Sequence, residues 1–342
     1  MQEVNNYNVP TAWLDFIRWI ATIAVITIHV AAPYLYKYGS IPMLYWNFYN
    51  FIDSLTRFAV PFFVMLSGAL LLNRNDSLKD FLFKRFSRVL IPFLFWSIIY
   101  SIYHFYIVNS NFGFEYIAFF VKSLNEGASY HFWYIYMLIG LYLAIPVLRV
   151  FVQNAQTNLI QYFLLLWFFF LLFSFFEISF NKDFNWTIFT GYVGYLILGY
   201  FIAFRLGNIN SHLVLSIFLV ALLFTFIMTW QFPICKGVFN GKYYQYLCVN
   251  VVTCAASLFI LIKKHFRMAE KSLSKLQFCN KYGFGVYFIH VLILDILQYF
   301  GINGAFVNPF VGIITTVLLC YISSLLLIRF FTSSKLLAQI IN

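Results

Sequence analysis

The sequence predicts an all-α fold, a polytopic membrane helix bundle of about ten transmembrane helices. Three observations carry that reading. The chain of 342 residues is 63% hydrophobic and only 10% charged, whereas a soluble domain carries roughly a quarter charged residues and about half apolar ones. Apolar runs of the length needed to cross a bilayer recur with no soluble-looking segment between them. The lysines and arginines sit in short intervals between those runs and favour one side. A formal charge of +11 could suit nucleic acid, but this placement follows the positive-inside rule instead.

A helix needs roughly 20 apolar residues to cross about 30 Å of hydrocarbon. The runs that qualify are 13–33, 46–72, 89–108, 132–152, 160–179, 187–205, 212–230, 246–262, 282–300 and 306–331. The stretch 114–124 is apolar but short and carries Glu115 and Lys122, so it is expected at an interface. The first ten residues are polar, and no small-residue cleavage site follows the first run; that run is expected to stay in the membrane. No linker or internal repeat divides the chain, which reads as one transmembrane domain over 1–342.

Orientation follows from the basic residues. The expected loops 73–88 and 263–281, with Arg149, Arg205, Arg329 and Lys335, hold fifteen Lys and Arg on one side. The other side has Lys37, Lys122, Lys182, Lys236 and Lys242. The richer side is expected to be cytoplasmic, with both termini. Trp46, Trp133, Trp186 and Trp230 then fall near the outer interface, where amphipathic rings prefer to sit. Five cysteines show no metal-ligand spacing and no disulfide framework; Cys248, Cys254 and Cys320 read as small core hydrophobes.

An ionisable residue inside a span is costly and marks a functional hypothesis. The first span holds Asp15, Arg18 and His29. Eleven residues at 100° each bring His29 back to within about 20° of Arg18, roughly 16 Å further along one face. Asp15 can pair with Arg18 from the neighbouring ridge. The second span holds Asp53 and Arg57, an i,i+4 pair, then Pro61, which removes one backbone bond. Arg57 is either half of a self-neutralising pair or a fork for a phosphate or carboxylate. His131 and Trp133 open the fourth run, Glu177 ends the fifth, and Tyr287 and His290 lie in the ninth. For His131, a solvated interfacial ring is the alternative to a working one. For His290, the alternative is a packed neutral histidine. His104, His212 and His265 read as background, and Asp295 has no assigned role.

The order of these residues resembles a known family. Residues 13–32, WLDFIRWIATIAVITIHVAA, resemble the first span of the acyltransferase-3 family, with its arginine, ten residues and a histidine. Residues 57–70, RFAVPFFVMLSGAL, resemble its second-span motif. Residues 83–96, FKRFSRVLIPFLFW, carry its R-x-x-R-x-x-x-P segment as Arg85, Arg88 and Pro92. Residues 131–149 and 281–294 look like two further blocks. Trp19 stands where many relatives have glycine, and no hydrolase-like domain of the kind some relatives carry is expected.

The resemblance implies transfer of an acyl group, usually acetyl from acetyl-CoA as cosubstrate, to a hydroxyl of a surface polysaccharide or lipid-linked glycan precursor, in the bacterial inner membrane. It implies His29 as the catalytic histidine with Arg18 as its partner, beside Asp15. Arg85 and Arg88 fall on the family's cytoplasmic arginine motif; they either anchor the donor phosphates, joined in this reading by Arg57, or serve simply as positive-inside anchors. Candidate contacts to the acceptor are His131, Trp133, Glu177, His290 and Tyr287. No metal is expected, and the expected partners are membrane lipid, acyl-CoA and the glycan acceptor, not nucleic acid. The rival function is a transporter or flippase of a lipid-linked saccharide, which also needs intramembrane charge.

Overall fold

The computed structural model describes residues 12–109, 115–177 and 190–341. Phe114, Lys182, Trp186, the polar N-terminus, the end of the fifth expected span and the start of the sixth lie outside them. All regular structure among the described residues is helical. Helix α1 spans Ala12–Leu35. Helices α2 (Met43–Thr56) and α3 (Ala59–Leu71) together form the second span. Then follow α4 (Leu78–Asn109), α5 (Glu115–Glu126), a 3-10 turn (Tyr130–Phe132) leading into α6 (Trp133–Asn154), and α7 (Thr157–Phe175). The second half comprises α8 (Val193–Phe204), α9 (Ser211–Lys236), α10 (Val249–His265), α11 (Glu270–Lys281), α12 (Gly283–Tyr299), α13 (Pro309–Phe331) and α14 (Lys335–Ile341).

Eight of the spans so formed are long and apolar enough to cross a membrane, nine when α11 and α12 are counted as one path bent by 62°. The short apolar α8 occupies the remaining expected position. The ten runs read from the sequence therefore each have their helix.

Helix α1 is the axis of the bundle. It packs against α2, α3, α10, α11, α12 and α13. Its polar face consequently looks into protein, which removes the cost of showing Arg18 and His29 to hydrocarbon. Helices α7, α9 and α13 instead expose large apolar side chains such as Leu165, Val220 and Leu318, as lipid-facing helices do.

Local chemistry explains where the elements break. Pro61 has no N–H to offer the carbonyl four residues earlier, at Arg57. The helix turns there: α2 ends with Arg57 as its C-cap, and Pro61 falls in the first turn of α3, where its missing N–H costs nothing. The basic interval 73–88 is only partly a loop. Ser77 caps α4, its hydroxyl accepting from the Asp80 backbone at 3.1 Å and donating to the Asp80 carboxylate at 2.7 Å, so Arg85 and Arg88 lie on helix, three residues apart on one face. The interval 263–281 is likewise corrected from loop to structure: α10 runs on to His265 and α11 fills Glu270–Lys281. Glu270 in its first turn and Lys281 in its last favour that helix through its dipole. Helix α5 buries none of its residues and rests on α4, with Ser101 and Tyr116 hydroxyls 2.8 Å apart.

The closest helix pair is α3 with α8. A methyl group on Gly68 would sit 1.9 Å from the Leu196 carbonyl oxygen, and one on Gly199 would sit 2.0 Å from that of Met65. Reciprocal glycines let two backbones touch, which is how helices associate where apolar burial gives no advantage over lipid. Trp19, the departure from the family pattern, donates its indole N–H to the Tyr321 hydroxyl at 3.1 Å; it joins α1 to α13. All five cysteines are free thiols.

Candidate active site

Three histidines from three distant parts of the chain meet. His29 comes from the C-terminal half of α1, His131 from the 3-10 turn before α6, and His290 from the middle of α12. The His29 and His290 rings stack with centroids 5.3 Å apart. His131 stands edge-on to His290 at 5.0 Å. Tyr130 stands edge-on to His29 at 5.1 Å.

Hydrogen bonds fix two of these rings. The Nδ1 of His290 lies 2.6 Å from the Tyr287 carbonyl oxygen. A carbonyl only accepts, so Nδ1 carries the proton, and the neutral ring presents a lone pair at Nε2. His131 Nδ1 lies 3.0 Å from the Ser129 hydroxyl. Tyr287 ties the two elements together, its hydroxyl donating to the His131 carbonyl at 2.5 Å. The Nε2 atoms of His131 and His290 are buried and have no partner among the described residues. An unpaired polar atom in an apolar interior is costly and calls for an explanation.

His29 lines two cavities. Toward the α1 C-terminus it shares a cavity of about 230 Å³ with Tyr34, Lys37, Gln298, Asn303 and Thr316. Toward the centre it shares a crevice of about 30 Å³ with His131, Trp133, Phe63, Tyr134 and Tyr287. Phe63, Tyr134 and Tyr287 are also the inner wall of a third cavity, about 280 Å³, whose other lining includes Arg18, Arg85, Arg88 and Tyr142. The crevice has room for about one water molecule. The aromatic rings of Phe63, Tyr134 and Tyr287 thus separate the arginine cavity from the histidines.

The sequence-predicted residues sort into groups. Arg18, Arg85 and Arg88 share the arginine cavity; Arg18 stands about 16 Å along α1 from His29. Asp15 is behind Arg18, 3.4 Å from it, and its carboxylate accepts from Gln277 at 3.2 Å while its carbonyl accepts from Asn280 at 2.8 Å. It joins α11 to α1 and sets the arginine. His29, His131, His290, Tyr287 and Trp133 meet at or beside the crevice, with Trp133 stacked on Tyr246 at 5.7 Å.

Arg57 lies apart from the other arginines. Its Nε donates to the buried Asp53 carboxylate at 2.9 Å, and its guanidinium covers the Tyr244 ring at 4.4 Å and the Tyr246 ring at 5.9 Å. Tyr246 lines the histidine crevice, so Arg57 supports that wall. Glu177 lines neither of the cavities that His29 borders. It is exposed and held by Lys242 at 2.6 Å, and that hydrogen bond keeps its carboxyl below the usual range. Its backbone is in the left-handed region, φ 55°. Asp295 accepts from the Tyr103 hydroxyl at 3.3 Å.

Sequence reasoning missed Ser129, Tyr130 and the wall of the cavity toward the α1 C-terminus (the outer cavity). Ser129 was within reach, two residues before His131. Lys37, Asn303 and Thr316 come from segments that only the tertiary fold unites.

No curated protein and no solved structure matches the chain. A family profile described as an acyltransferase domain matches residues 11–328, nearly all of it. The chain is a multi-pass membrane acyltransferase of the acyltransferase-3 family.

Proposed function

We propose that this enzyme is an O-acyltransferase that moves an acetyl group from acetyl-CoA to a hydroxyl of a surface glycan or its lipid-linked precursor, with His29 as the base. The carrying observation is that, among the described residues, His29 alone lines both the outer cavity and the crevice leading back to Arg18, Arg85 and Arg88. The sequence blocks also resemble those of the O-acetyltransferase acting on enterobacterial common antigen, which favours acetyl as the group and a glycan as the acceptor.

In this reading the donor phosphates meet Arg85 and Arg88, whose planar forks suit phosphate oxygens. The pantetheine arm follows the α1 face past Arg18. The rings of Phe63 and Tyr134 must swing aside for it, because the crevice is too small as it stands. The acceptor arrives from the other cavity. His29 takes the proton of the acceptor hydroxyl as that oxygen attacks the thioester carbon, and an imidazole is suited to this near neutral pH. The carbon–sulfur bond then breaks, and the departing thiolate takes the proton back from the imidazolium. His290, stacked on His29, and His131 fix the ring's surroundings.

His29→Ala tests the assignment. Acetyl transfer is expected to fall by roughly 10²-fold or more, a typical general-base contribution, with acetyl-CoA affinity and melting temperature unchanged. A packed structural histidine would instead lower stability and leave turnover per folded molecule intact.

A further inference from the structure

The outer cavity has a lining that the acyl transfer reading leaves unused. Its floor is Thr316, 2% exposed, whose hydroxyl is buried with no partner among the described residues. One wall is the turn between α12 and α13, held rigidly from behind. Tyr34 donates to the side-chain Oδ1 of Asn303 at 2.8 Å, the Ala305 N–H donates to the same atom at 2.9 Å, and Tyr49 donates to the Gly304 backbone carbonyl at 2.9 Å. With its oxygen so engaged, Asn303 keeps its amide N–H groups for something else. Gln298 and Lys37 are exposed at the rim. Lys37 has no acidic partner among the described residues; its ammonium rests 4.8 Å from the Tyr34 ring. No acidic side chain among the described residues lines the cavity.

We propose that this cavity is the acceptor subsite and takes a single sugar ring bearing an anionic group, carboxylate or phosphate, with that group at Lys37 and the ring hydroxyls at Asn303, Gln298 and Thr316. The inference rests on the reading of His29 as the base for the acceptor hydroxyl. Size supports one ring: about 230 Å³ is below the roughly 300–1,000 Å³ of sites that enclose drug-sized ligands, so the rest of a glycan must remain outside. Polarity supports a carbohydrate, since the Asn303 and Gln298 amides and a hydroxyl with no partner among the described residues line one cavity together with apolar side chains. Charge supports an anion, because a lysine at a wall without carboxylates can only favour negative ligands.

Membranes of cells that make the natural acceptor, supplied with radiolabelled acetyl-CoA, provide the assay. Lys37→Glu is expected to raise the amount of acceptor needed for half-maximal incorporation by about tenfold, the loss of roughly one charge-assisted contact. Lys37→Arg should stay near the wild type, and Thr316→Val should show a smaller rise. Acetyl-CoA affinity should be unchanged in all three, which also reports that they are folded. Fragment-ion mass spectrometry of the released glycan should find the acetyl on a sugar that itself carries the charge; phosphatase sensitivity assigns phosphate, and resistance assigns carboxylate. An acetyl on an uncharged sugar, or unchanged acceptor dependence in Lys37→Glu, overturns the proposal. Full turnover by His29→Ala would remove the base and leave the Lys37 result standing, so the two failures are separable.

Discussion

His29, His131 and His290 each lie in apolar sequence, where a polar ring is expensive to bury, and the fold answers by bringing them to one another. Two of them hold buried nitrogens with no partner among the described residues, an arrangement that stability alone would not select. The arginines divide the work differently. Arg57 is neutralised by Asp53 and stacked on tyrosines, while Arg18, Arg85 and Arg88 line open space. Under the proposed function, that contrast favours Arg85 and Arg88 over Arg57 for holding the donor. Replacing both by alanine is expected to weaken acetyl-CoA binding at least about tenfold, as loss of charge-assisted contacts would, with little change in melting temperature. Paired replacement by lysine should recover only part, because an ammonium lacks the bidentate fork. Normal donor binding in the alanine variant would reduce both residues to topological anchors.

Helix contacts set how accurately these side chains are held. Helix α3 carries Phe63 into the partition between cavities, and α3 is fixed by its glycine contact with α8. Gly68→Ala would push a methyl group into the Leu196 backbone, where no side chain can yield. It is expected to cost about 1–3 kcal/mol as an overpacked contact, seen as a lower melting temperature in detergent, while Gly140→Ala, with open space around it, should be neutral. An unchanged melting temperature for Gly68→Ala would mean that the two helices are not in that contact. Much at this scale was legible in the sequence. The apolar runs found the eight or nine paths long enough to cross a membrane among the described residues, with the shorter α8 in the tenth, and Pro61 signalled the break in the second. The interval 263–281 was not legible as helix, because a short amphipathic segment rich in lysine reads as a basic loop until α1 packs on it. Individual site residues stood out as polar groups in apolar runs, and Arg18 with His29 as one face of one helix. Their meeting with His131 and His290, and the union of Lys37, Asn303 and Thr316, depend on contacts between residues more than a hundred positions apart, which no local pattern encodes.

Taken as a whole, the bundle presents an arginine-lined cavity at the end where α1 begins and a lysine-rimmed one at the end where it finishes, with His29 bordering the latter and the crevice between. The excess of basic residues at the arginine end is the orientation signal, so the donor is expected from the cytoplasm and the acceptor from the opposite face. Sealed membrane vesicles of defined orientation, given radiolabelled acetyl-CoA that cannot cross the bilayer, test this most directly. Inside-out vesicles should label their glycan, sealed right-side-out vesicles should not, and inside-out vesicles carrying His29→Ala should lose most of the signal. Labelling by sealed right-side-out vesicles, or full labelling with a well-folded His29→Ala enzyme, would contradict the account.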